Sequence, residues 1–469
     1  MRLHLPLLIV GLLCPAVASA GGGRVGKPDA ALVERARAYA AAYALSRSHA
    51  IPSFSRQTGL ACSVCHTAFP MLTAFGRQFK LNAYTLTGMQ TIGGSEANPN
   101  LKLNLIPPVS TMLQTSVTNL AKAVPGTQNG NIEFPQELSV FFGEAISPRM
   151  GTFIQITYDA AEGSLGIDNI DLRYAKRGKL ASKPMLYGFT VNNSPTVQDV
   201  WNSTPVWGFP FGSSGVAPAP TASPLIAEGL AQSVAGFGSY ALWDEHVYGE
   251  LSFYRSAPQG GAHPPDATSE MTIKGVAPYW RFAYQRTFGQ HYLEVGTFGL
   301  SSRLYPTGVT GPVDRFTDLG ADVQFEHRMG RGFLGALVVH ASYMHEQQKL
   351  DATFGGGGAA NAKNNLSTFR ADAEFLAPSR VGGTLGVFST TGTADTLLYA
   401  PGSITGSATG KPNSSGVIAE VQVMPWLNTR FSLQYVLYQK FNGGSSNYDG
   451  SGRNASDNNT LYLLAWLMF

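Results

Sequence analysis

The feature that most constrains the fold of this chain is a two-residue alternation of apolar and polar side chains, which begins near Asn104 and continues to the C-terminus. Between residues 369 and 375, Phe and Ala alternate with Arg, Asp and Glu, and residues 169–174 and 430–437 alternate in the same way. Successive side chains of a β-strand point to opposite faces, so this pattern predicts strands with one apolar and one polar face. A soluble β-sandwich and a transmembrane barrel both fit it.

The connections between the strands favour the barrel. Sixteen candidate strands can be counted between Pro108 and Phe469, and the links between them alternate between tight turns and long loops rich in Gly, Pro, Ser and Asn. Outer-membrane barrels have short periplasmic turns and longer extracellular loops. The last segment, 461–469, places four apolar residues on one face and ends in Phe, which resembles the closing strand of bacterial outer-membrane proteins. The prediction is therefore an all-β fold, a transmembrane antiparallel β-barrel of about 16 strands, over residues 104–469.

Composition excludes several other classes of protein. Only 13% of the residues are charged, while the chain has 53 Gly, 26 Phe, 19 Tyr and 6 Trp, so it is not an intrinsically disordered chain. After the N-terminal leader, no stretch approaches the ~20 apolar residues of a membrane-spanning helix. The net charge of +3 includes no basic run, so no nucleic-acid partner is expected.

The N-terminus predicts export. Arg2 precedes an apolar run from Leu5 to Val17 and a small-residue site at 18–20, which together indicate a signal peptide over residues 1–20 that is cleaved after Ala20. Export and the barrel together predict location in the bacterial outer membrane. Cys14 is removed with the signal, so that two cysteines, Cys62 and Cys65, are expected in the mature chain.

These cysteines form a Cys-x-x-Cys-His motif with His66. The motif indicates covalent attachment of one haem c, with His66 as an axial ligand of the iron. A redox-active dithiol is the alternative, and zinc is disfavoured because a structural site needs four ligands. Residues 21–103 are therefore predicted to be a small α-helical mono-haem cytochrome c domain that plugs the barrel, with one helix from Asp29 and a second over 69–81.

Two stretches carry a resemblance to a known family. Residues 52–84 read PSFSRQTGLACSVCHTAFPMLTAFGRQFKLNAY, and residues 192–210 read NNSPTVQDVWNSTPVWGFP. Both are similar to the fused mono-haem cytochrome–porins of iron-oxidising bacteria, the outer-membrane iron oxidases. The order of parts is also similar: a signal peptide, one Cys-x-x-Cys-His motif, an FGRxFKL-like segment and a porin barrel.

The resemblance and the parts imply the same function. A haem tied to a chain that spans the outer membrane is suited to one-electron transfer from an extracellular reductant, expected to be Fe(II), to a periplasmic c-type cytochrome. The enzyme class would then be an Fe(II):cytochrome c oxidoreductase, with no catalytic residue beyond the haem and with outer-membrane lipid around the barrel. The alternatives are a passive diffusion porin with a structural or sensory haem plug, and a haem enzyme that acts on a small molecule.

The remaining candidate residues surround the haem. The distal ligand of the iron is expected among Met89, His49 and Met71, although packing or surface roles are alternatives for each. Arg77 and Lys80 are possible partners of the haem propionates, or else solvated helix charges.

The barrel contributes further candidates. The segment from Asn192 to about Gln232 is predicted to fold into the lumen, and its Asp199, Trp201 and Trp207 would lie near the haem or pack within the loop. Lumen-facing carboxylates could guide a cation, but pairing with the lumen-facing arginines is favoured. The carboxylates are those of Asp171, Asp322, Glu326, Asp372 and Glu374, and the arginines are Arg173, Arg281, Arg370 and Arg430.

Overall fold

A computed structural model of the chain describes residues 53–85, 91–92, 103–104, 107–257, 264–329 and 335–469, without the side chain of Glu228. The predicted signal peptide and the predicted helix from Asp29 lie outside these residues. No helix in the described ranges is long and apolar enough to cross a membrane.

The described residues form a closed antiparallel barrel of sixteen long strands. Each strand pairs with the next along the chain, and the last pairs with the first through a register that runs from Thr460 opposite Leu120 to Met468 opposite Met112. The strands are β1 Val109–Leu120, β2 Asn131–Ser147, β3 Met150–Asp159, β4 Ser164–Leu180, β5 Lys183–Asn192, β6 Val234–Trp243, β7 Val247–Ser256, β8 Ala277–Phe288, β9 His291–Thr307, β10 Asp314–Arg328, β11 Ala336–Lys349, β12 Lys363–Leu376, β13 Val381–Gly392, β14 Ser414–Trp426, β15 Thr429–Lys440 and β16 Thr460–Met468. The predicted barrel and its strand number are confirmed.

The predicted alternation of connections is also confirmed, with one exception. Tight links join β2 to β3, β4 to β5, and so on around one end of the barrel, whereas the opposite end carries the long loops. The connection from β3 to β4 is at the long-loop end but spans only residues 160–163, because the Asp159 carboxylate accepts hydrogen bonds from the Ala161 and Glu162 amides and closes a turn. A short strand, Glu270–Ile273, pairs with the end of β9.

Side chains alternate across the barrel wall as predicted. Many outward positions are exposed and apolar, among them Phe282, Val295, Leu319, Phe369, Leu385, Val421 and Leu463. Inward positions include buried charged groups, among them Asp171, Arg173, Arg281, Glu294, Asp322, Glu374 and Arg430. An apolar exterior and a polar interior are the arrangement expected of a barrel surrounded by lipid.

Three short helices occupy the segment before the barrel. They are α1 Ser53–Thr58, α2 Cys62–Cys65 and α3 Ala74–Leu81, and a fourth, α4 Asp351–Gly355, lies in the loop after β11. The second predicted helix begins at Ala74 rather than at residue 69, because the Thr73 side chain accepts a hydrogen bond from the Gly76 amide and caps the helix there. Two-residue strands pair at Thr91–Ile92 and Leu103–Asn104, and single turns of other helix types occur at Pro205–Trp207, Leu225–Gly229 and Ala455–Asn458.

The helical segment 53–85 lies in the lumen at the end with the tight turns. Gln57 Nε2 donates to the Gly143 carbonyl near the end of β2, at 2.6 Å, and Arg77 pairs with Glu326 near the end of β10. Arg430, near the start of β15, donates to the Phe69 carbonyl at 2.5 Å. All three strand positions are close to tight turns, so the segment fills the end of the barrel that faces the periplasm in proteins of this architecture.

Candidate functional site

The Cys-x-x-Cys-His motif forms one helical turn followed by a bend. Cys62–Cys65 is helix α2, and the His66 amide donates to the Cys62 carbonyl at 2.9 Å. His66 then pairs with Leu72 in an isolated antiparallel bridge. Helix α3 packs directly on this turn at Gly76, where an added Cβ would lie 2.2 Å from the Cys65 carbonyl oxygen. Glycine at this position is therefore required for the turn and the helix to approach so closely.

The imidazole of His66 is oriented by one of its two nitrogens. Nδ1 lies 3.2 Å from the Pro70 carbonyl oxygen, so Nδ1 carries the proton and donates it. Nε2 then has a free lone pair, the usual arrangement of a histidine that ligates a metal. Burial lowers the pKa of this imidazole to about 4, so the ring is neutral at ordinary pH.

Neither thiol of the motif is in a disulfide bond. Burial, followed by the neighbouring Cys62 thiol, raises the pKa of Cys65 to about 12. A dithiol that exchanges disulfides needs an accessible thiolate, and Cys65 is held in its protonated form. This environment therefore does not favour the redox-dithiol alternative.

The motif opens onto a cavity of about 770 Å³ inside the barrel. This volume is within the roughly 300–1,000 Å³ range of small-molecule and cofactor sites. Cys62, Cys65 and His66 line it together with a group of aromatic rings from the helices, the barrel and the lumen loop: Phe54, Phe75, Phe79, Tyr84, Phe141, Phe153, Trp207, Phe209 and Phe211. Two buried polar atoms on its wall, Trp466 Nε1 and Thr368 Oγ1, have no hydrogen-bond partner among the described residues.

These observations fit a covalently attached haem. Two unbridged thiols, an imidazole with a free Nε2, an aromatic enclosure and unsatisfied hydrogen-bond donors are present on a single cavity. In the part of the chain described, no three His, Cys, Asp or Glu side chains are grouped so as to hold a bare metal ion. The motif offers one nitrogen ligand, which would suit an iron held by a porphyrin.

None of the predicted distal ligands is found on the cavity wall among the described residues. Met71 is buried against Ala68, Val338, Phe211 and Met424, and it is not on the cavity wall. His49 and Met89 lie outside the described residues. Three methionines of the barrel do line the cavity, Met112, Met344 and Met468, and these were not predicted. Met112 and Met468 are register partners on adjacent strands, so their thioethers enter the cavity side by side.

The two candidate propionate partners contact different parts of the molecule, Arg77 the barrel wall and Lys80 the lumen loop. The Arg77 guanidinium pairs with Glu326 at 2.5 Å and covers the Tyr292 ring at 4.0 Å from its centroid, away from the cavity lining. Lys80 lines the cavity, and its Nζ donates to the carbonyls of Val197 and Asp199 at 2.7 and 2.9 Å. Burial, followed by the nearby Arg173 guanidinium, lowers the pKa of Lys80 to about 7.

The segment 193–232 folds into the lumen, as predicted, from the long-loop end. Asp199 and Trp207 line the same cavity as His66, whereas Trp201 packs against the wall, where its Nε1 donates to Tyr292 and Gln285. Asp199 organises the loop, because its carboxylate accepts hydrogen bonds from the amides of Trp201, Ser203 and Thr204. Although burial opposes ionisation, Arg281 and these hydrogen bonds hold the pKa of Asp199 below its usual value.

The lumen-facing charges are largely paired with one another, as predicted. Arg173 pairs with Asp171 at 2.8 Å, Arg430 with Glu420 at 2.5 Å, and His340 with Asp372 at 3.0 Å. Arg281 contacts three carboxylates, and Glu374 accepts a hydrogen bond from Gln422. Arg370 lines the cavity. Pairing therefore explains most of the charged residues that could otherwise be assigned to cation guidance.

Comparison with known proteins finds structural similarity only. No family model and no curated protein matches the chain. Among solved structures, the chain is similar to the outer-membrane channel DcaP of Acinetobacter baumannii, with a TM-score of 0.44, 12% identity and coverage of 77% of this chain and 96% of that one. It is also similar to an anion-selective porin from Comamonas acidovorans, with a TM-score of 0.43, 10% identity and coverage of 77% and 98%. A loop-deletion mutant of OmpT from Vibrio cholerae gives a TM-score of 0.42, 11% identity and the same coverage.

Proposed function

We propose that this protein resides in the bacterial outer membrane and transfers single electrons from an extracellular reductant, Fe(II), through a covalent haem c to a periplasmic c-type cytochrome. The observation that carries the proposal is the arrangement of His66, whose Nδ1 is bound to the Pro70 carbonyl and whose Nε2 is free, on a cavity that also holds two unbridged thiols. The enzyme class would be an Fe(II):cytochrome c oxidoreductase.

The location is supported by the outer surface of the barrel. Outward positions at mid-height are apolar on successive strands, for example Val295, Leu319, Tyr343 and Phe369, while charged groups are buried in the lumen. Water on both sides would leave this belt exposed, whereas a bilayer covers it. The barrel is closed, so each of its strands is paired on both sides and no free edge would face lipid.

The residues of the cavity have separable roles. Bound there, haem c would supply a one-electron Fe(III)/Fe(II) couple. The thiols of Cys62 and Cys65 would add across its vinyl groups to form thioethers, and His66 would provide the axial nitrogen. The aromatic rings exclude water from the cavity, while Lys80 and Trp466 Nε1 offer hydrogen bonds to carboxylates.

The position of the motif suits transfer in this direction. Helices α1 to α3 occupy the tight-turn end of the lumen, which would face the periplasmic acceptor, and the loop 193–232 reaches the same cavity from the other end. The cavity is thus lined both by the helical segment at the tight-turn end and by the loop that enters from the long-loop end. An electron that enters near Trp207 would cross the membrane inside one chain, without a diffusing carrier.

Anaerobic addition of Fe(II) to the purified, oxidised holoprotein tests the proposal. The haem absorption spectrum is expected to change to that of the reduced form within minutes, and dithionite fixes the full amplitude. A haem that dithionite reduces but Fe(II) leaves oxidised would overturn iron as the donor. His66→Ala should abolish the response while the barrel still shifts on unheated gels, and His246→Ala, in the turn between β6 and β7, is the matched control.

The same preparation separates the alternatives. A passive porin would conduct ions in a planar bilayer whatever the state of the haem, whereas a lumen filled by 53–85 and 193–232 predicts low conductance. A haem enzyme needs an open iron position, so a spectrum of stable six-coordinate iron would argue against it. Met112→Leu and Met468→Leu, measured by that spectrum, test whether a barrel methionine supplies the sixth ligand, and Met71→Leu is the comparison.

A further inference from the structure

The outer surface of the barrel carries a row of four cations beside the long loops. Arg303 on β9 lies opposite Arg315 on β10, Arg315 lies opposite Lys349 on β11, and Lys349 lies opposite Lys363 on β12. Directly opposed residues share a face of the sheet. The adjacent residues Leu304, Asp314, Gln348 and Asn364 are buried toward the lumen, so the four cations point outward. We call these four residues the cation row.

Like charges at directly opposed positions repel and destabilise a sheet. In the paired strands described, no other directly opposed positions bring two Lys or Arg residues together. None of the four makes a salt bridge with a described residue. Three successive repulsive pairs without an acidic partner among the described residues favour an anion from outside that neutralises them.

A depression in the outer wall lies at the row. It has a volume of about 440 Å³ and is lined by Arg303, Arg315 and Lys349. One level lower, Ser301, Thr317 and Gln347 add hydroxyl and amide groups, and none of the described residues that line the depression carries a carboxylate. Guanidinium, ammonium and hydroxyl donors around one concavity are suited to the oxygens of a phosphate group.

The surface below the row is apolar. Toward the middle of the barrel the outward positions on the same strands include Leu319, Tyr343, Phe369 and Val295, all exposed. A ligand that fits both regions has a phosphate head and hydrocarbon chains. The row lies at the long-loop end, so in the proposed orientation it is level with the headgroups of the outer leaflet.

We propose that the cation row and its depression bind the phosphorylated sugar headgroup of the outer-leaflet glycolipid, lipopolysaccharide, whose acyl chains lie along the apolar belt below. The inference rests on the outer-membrane location in the proposed function and is independent of electron transfer.

Binding to the purified full chain in an uncharged detergent tests the proposal, with native mass spectrometry as the readout. The probes are deep-rough lipopolysaccharide, the same lipid with its phosphates removed, phosphatidylglycerol and inorganic phosphate. The variant Arg315→Gln/Lys349→Gln removes two charges of the row. The matched control, Arg255→Gln/Arg286→Gln, removes two exposed arginines that lie on β7 and β8 outside the row.

The row variant is expected to bind deep-rough lipopolysaccharide at least about tenfold more weakly than the wild type, and the control within about twofold. The dephosphorylated lipid should bind the wild type as weakly as the intact lipid binds the variant. Equal binding by wild type and row variant would overturn the proposal. So would equal affinity for the dephosphorylated lipid or for phosphatidylglycerol, or full displacement by inorganic phosphate at millimolar concentration.

Both variants should retain the gel shift of an intact barrel, because the substituted side chains are outside the lumen. A failed binding test would leave the Fe(II) reduction test of the proposed function unaffected, since that test reads the haem alone.

Discussion

Replacement of Arg281 by Met should release the lumen loop from the barrel wall. Arg281 is buried on β8, and its Nη2 lies 2.5 Å from Asp322, 3.3 Å from Glu294 and 3.6 Å from Asp199. The first two carboxylates belong to the barrel and the third to the loop 193–232. This one guanidinium therefore links the loop to the wall electrostatically, and it also covers the Trp201 ring at 4.7 Å from its centroid.

The size of the effect follows from the charges that remain. The substitution leaves three carboxylates close together without their shared cation. Removal of one partner from a buried ion pair typically costs about 3–5 kcal/mol. Since about 1.4 kcal/mol corresponds to a factor of ten, the open form of the loop should become at least about 100-fold more populated.

Limited chymotrypsin digestion measures that population. The loop contains Trp201, Trp207 and Phe211 as cleavage sites, and the first is fully buried. When opening and closing are fast relative to cleavage, the cleavage rate tracks the open population. Arg281→Met should therefore be nicked in the loop at least about 100-fold faster than the wild type. Arg286→Met, an exposed arginine on the same strand, is the matched control.

A second variant separates charge from packing. Arg281→Met combined with Asp322→Asn and Glu294→Gln removes the stranded wall carboxylates and should recover much of the protection. If the single variant is nicked at the wild-type rate while its barrel still shifts on unheated gels, Arg281 does not hold the loop. If the triple variant is nicked as fast as the single one, lost packing rather than charge is the cause.

Three further outcomes are expected. Gly151→Ala should displace the helical segment, because its Cβ would lie 2.2 Å from the Ala83 carbonyl oxygen; trypsin should then cleave residues 53–85 faster than in the wild type. Burial lowers the pKa of Lys80 to about 7, so between about pH 7 and the ordinary lysine pKa the unfolded chain binds a proton that the folded chain lacks. The urea midpoint of unfolding should therefore rise with pH across that window, and Lys80→Met should flatten the rise. Against the effect of burial, backbone hydrogen bonds to the Asp395 carboxylate lower its pKa to about 2. The stabilisation that this carboxylate gives to the loop after β13 should be complete above the ordinary aspartate pKa and be lost toward pH 2. Asp395→Asn should open this loop to protease even at pH 7.

The barrel was predictable from sequence because the outer face of its wall is apolar and the lumen face is polar. Alternation marks each strand locally, and the sixteen candidate strands correspond to the sixteen long strands of the barrel. Pro135 lies within β2, although proline is disfavoured inside a sheet. In the structure Pro135 falls at a register shift between Gln114 and Ser116 of β1, where a proline removes no ladder hydrogen bond.

The functional site was predictable only where its residues are neighbours in sequence. Cys62, Cys65 and His66 are read from one local motif, and the aromatic loop was recognised from its composition. Met112, Met344 and Met468 reach the same cavity from three distant strands, so only the closed barrel and its register bring them together. The cation row was missed for the same reason, because its members are scattered between residues 303 and 363.

The contacts between the helical segment and the wall argue against two independent modules. Gly143 and Gly151 leave space for Phe54 and for the Ala83 carbonyl, so the barrel is shaped around residues 53–85. Tyr84 donates to Asp171 at 2.5 Å, and Arg77 neutralises Glu326. A barrel without the helical segment would expose these carboxylates to a water-filled lumen and lose the wall of the cavity. The Cys-x-x-Cys-His motif and the barrel are therefore parts of one packed unit, in which the lumen encloses the helical segment.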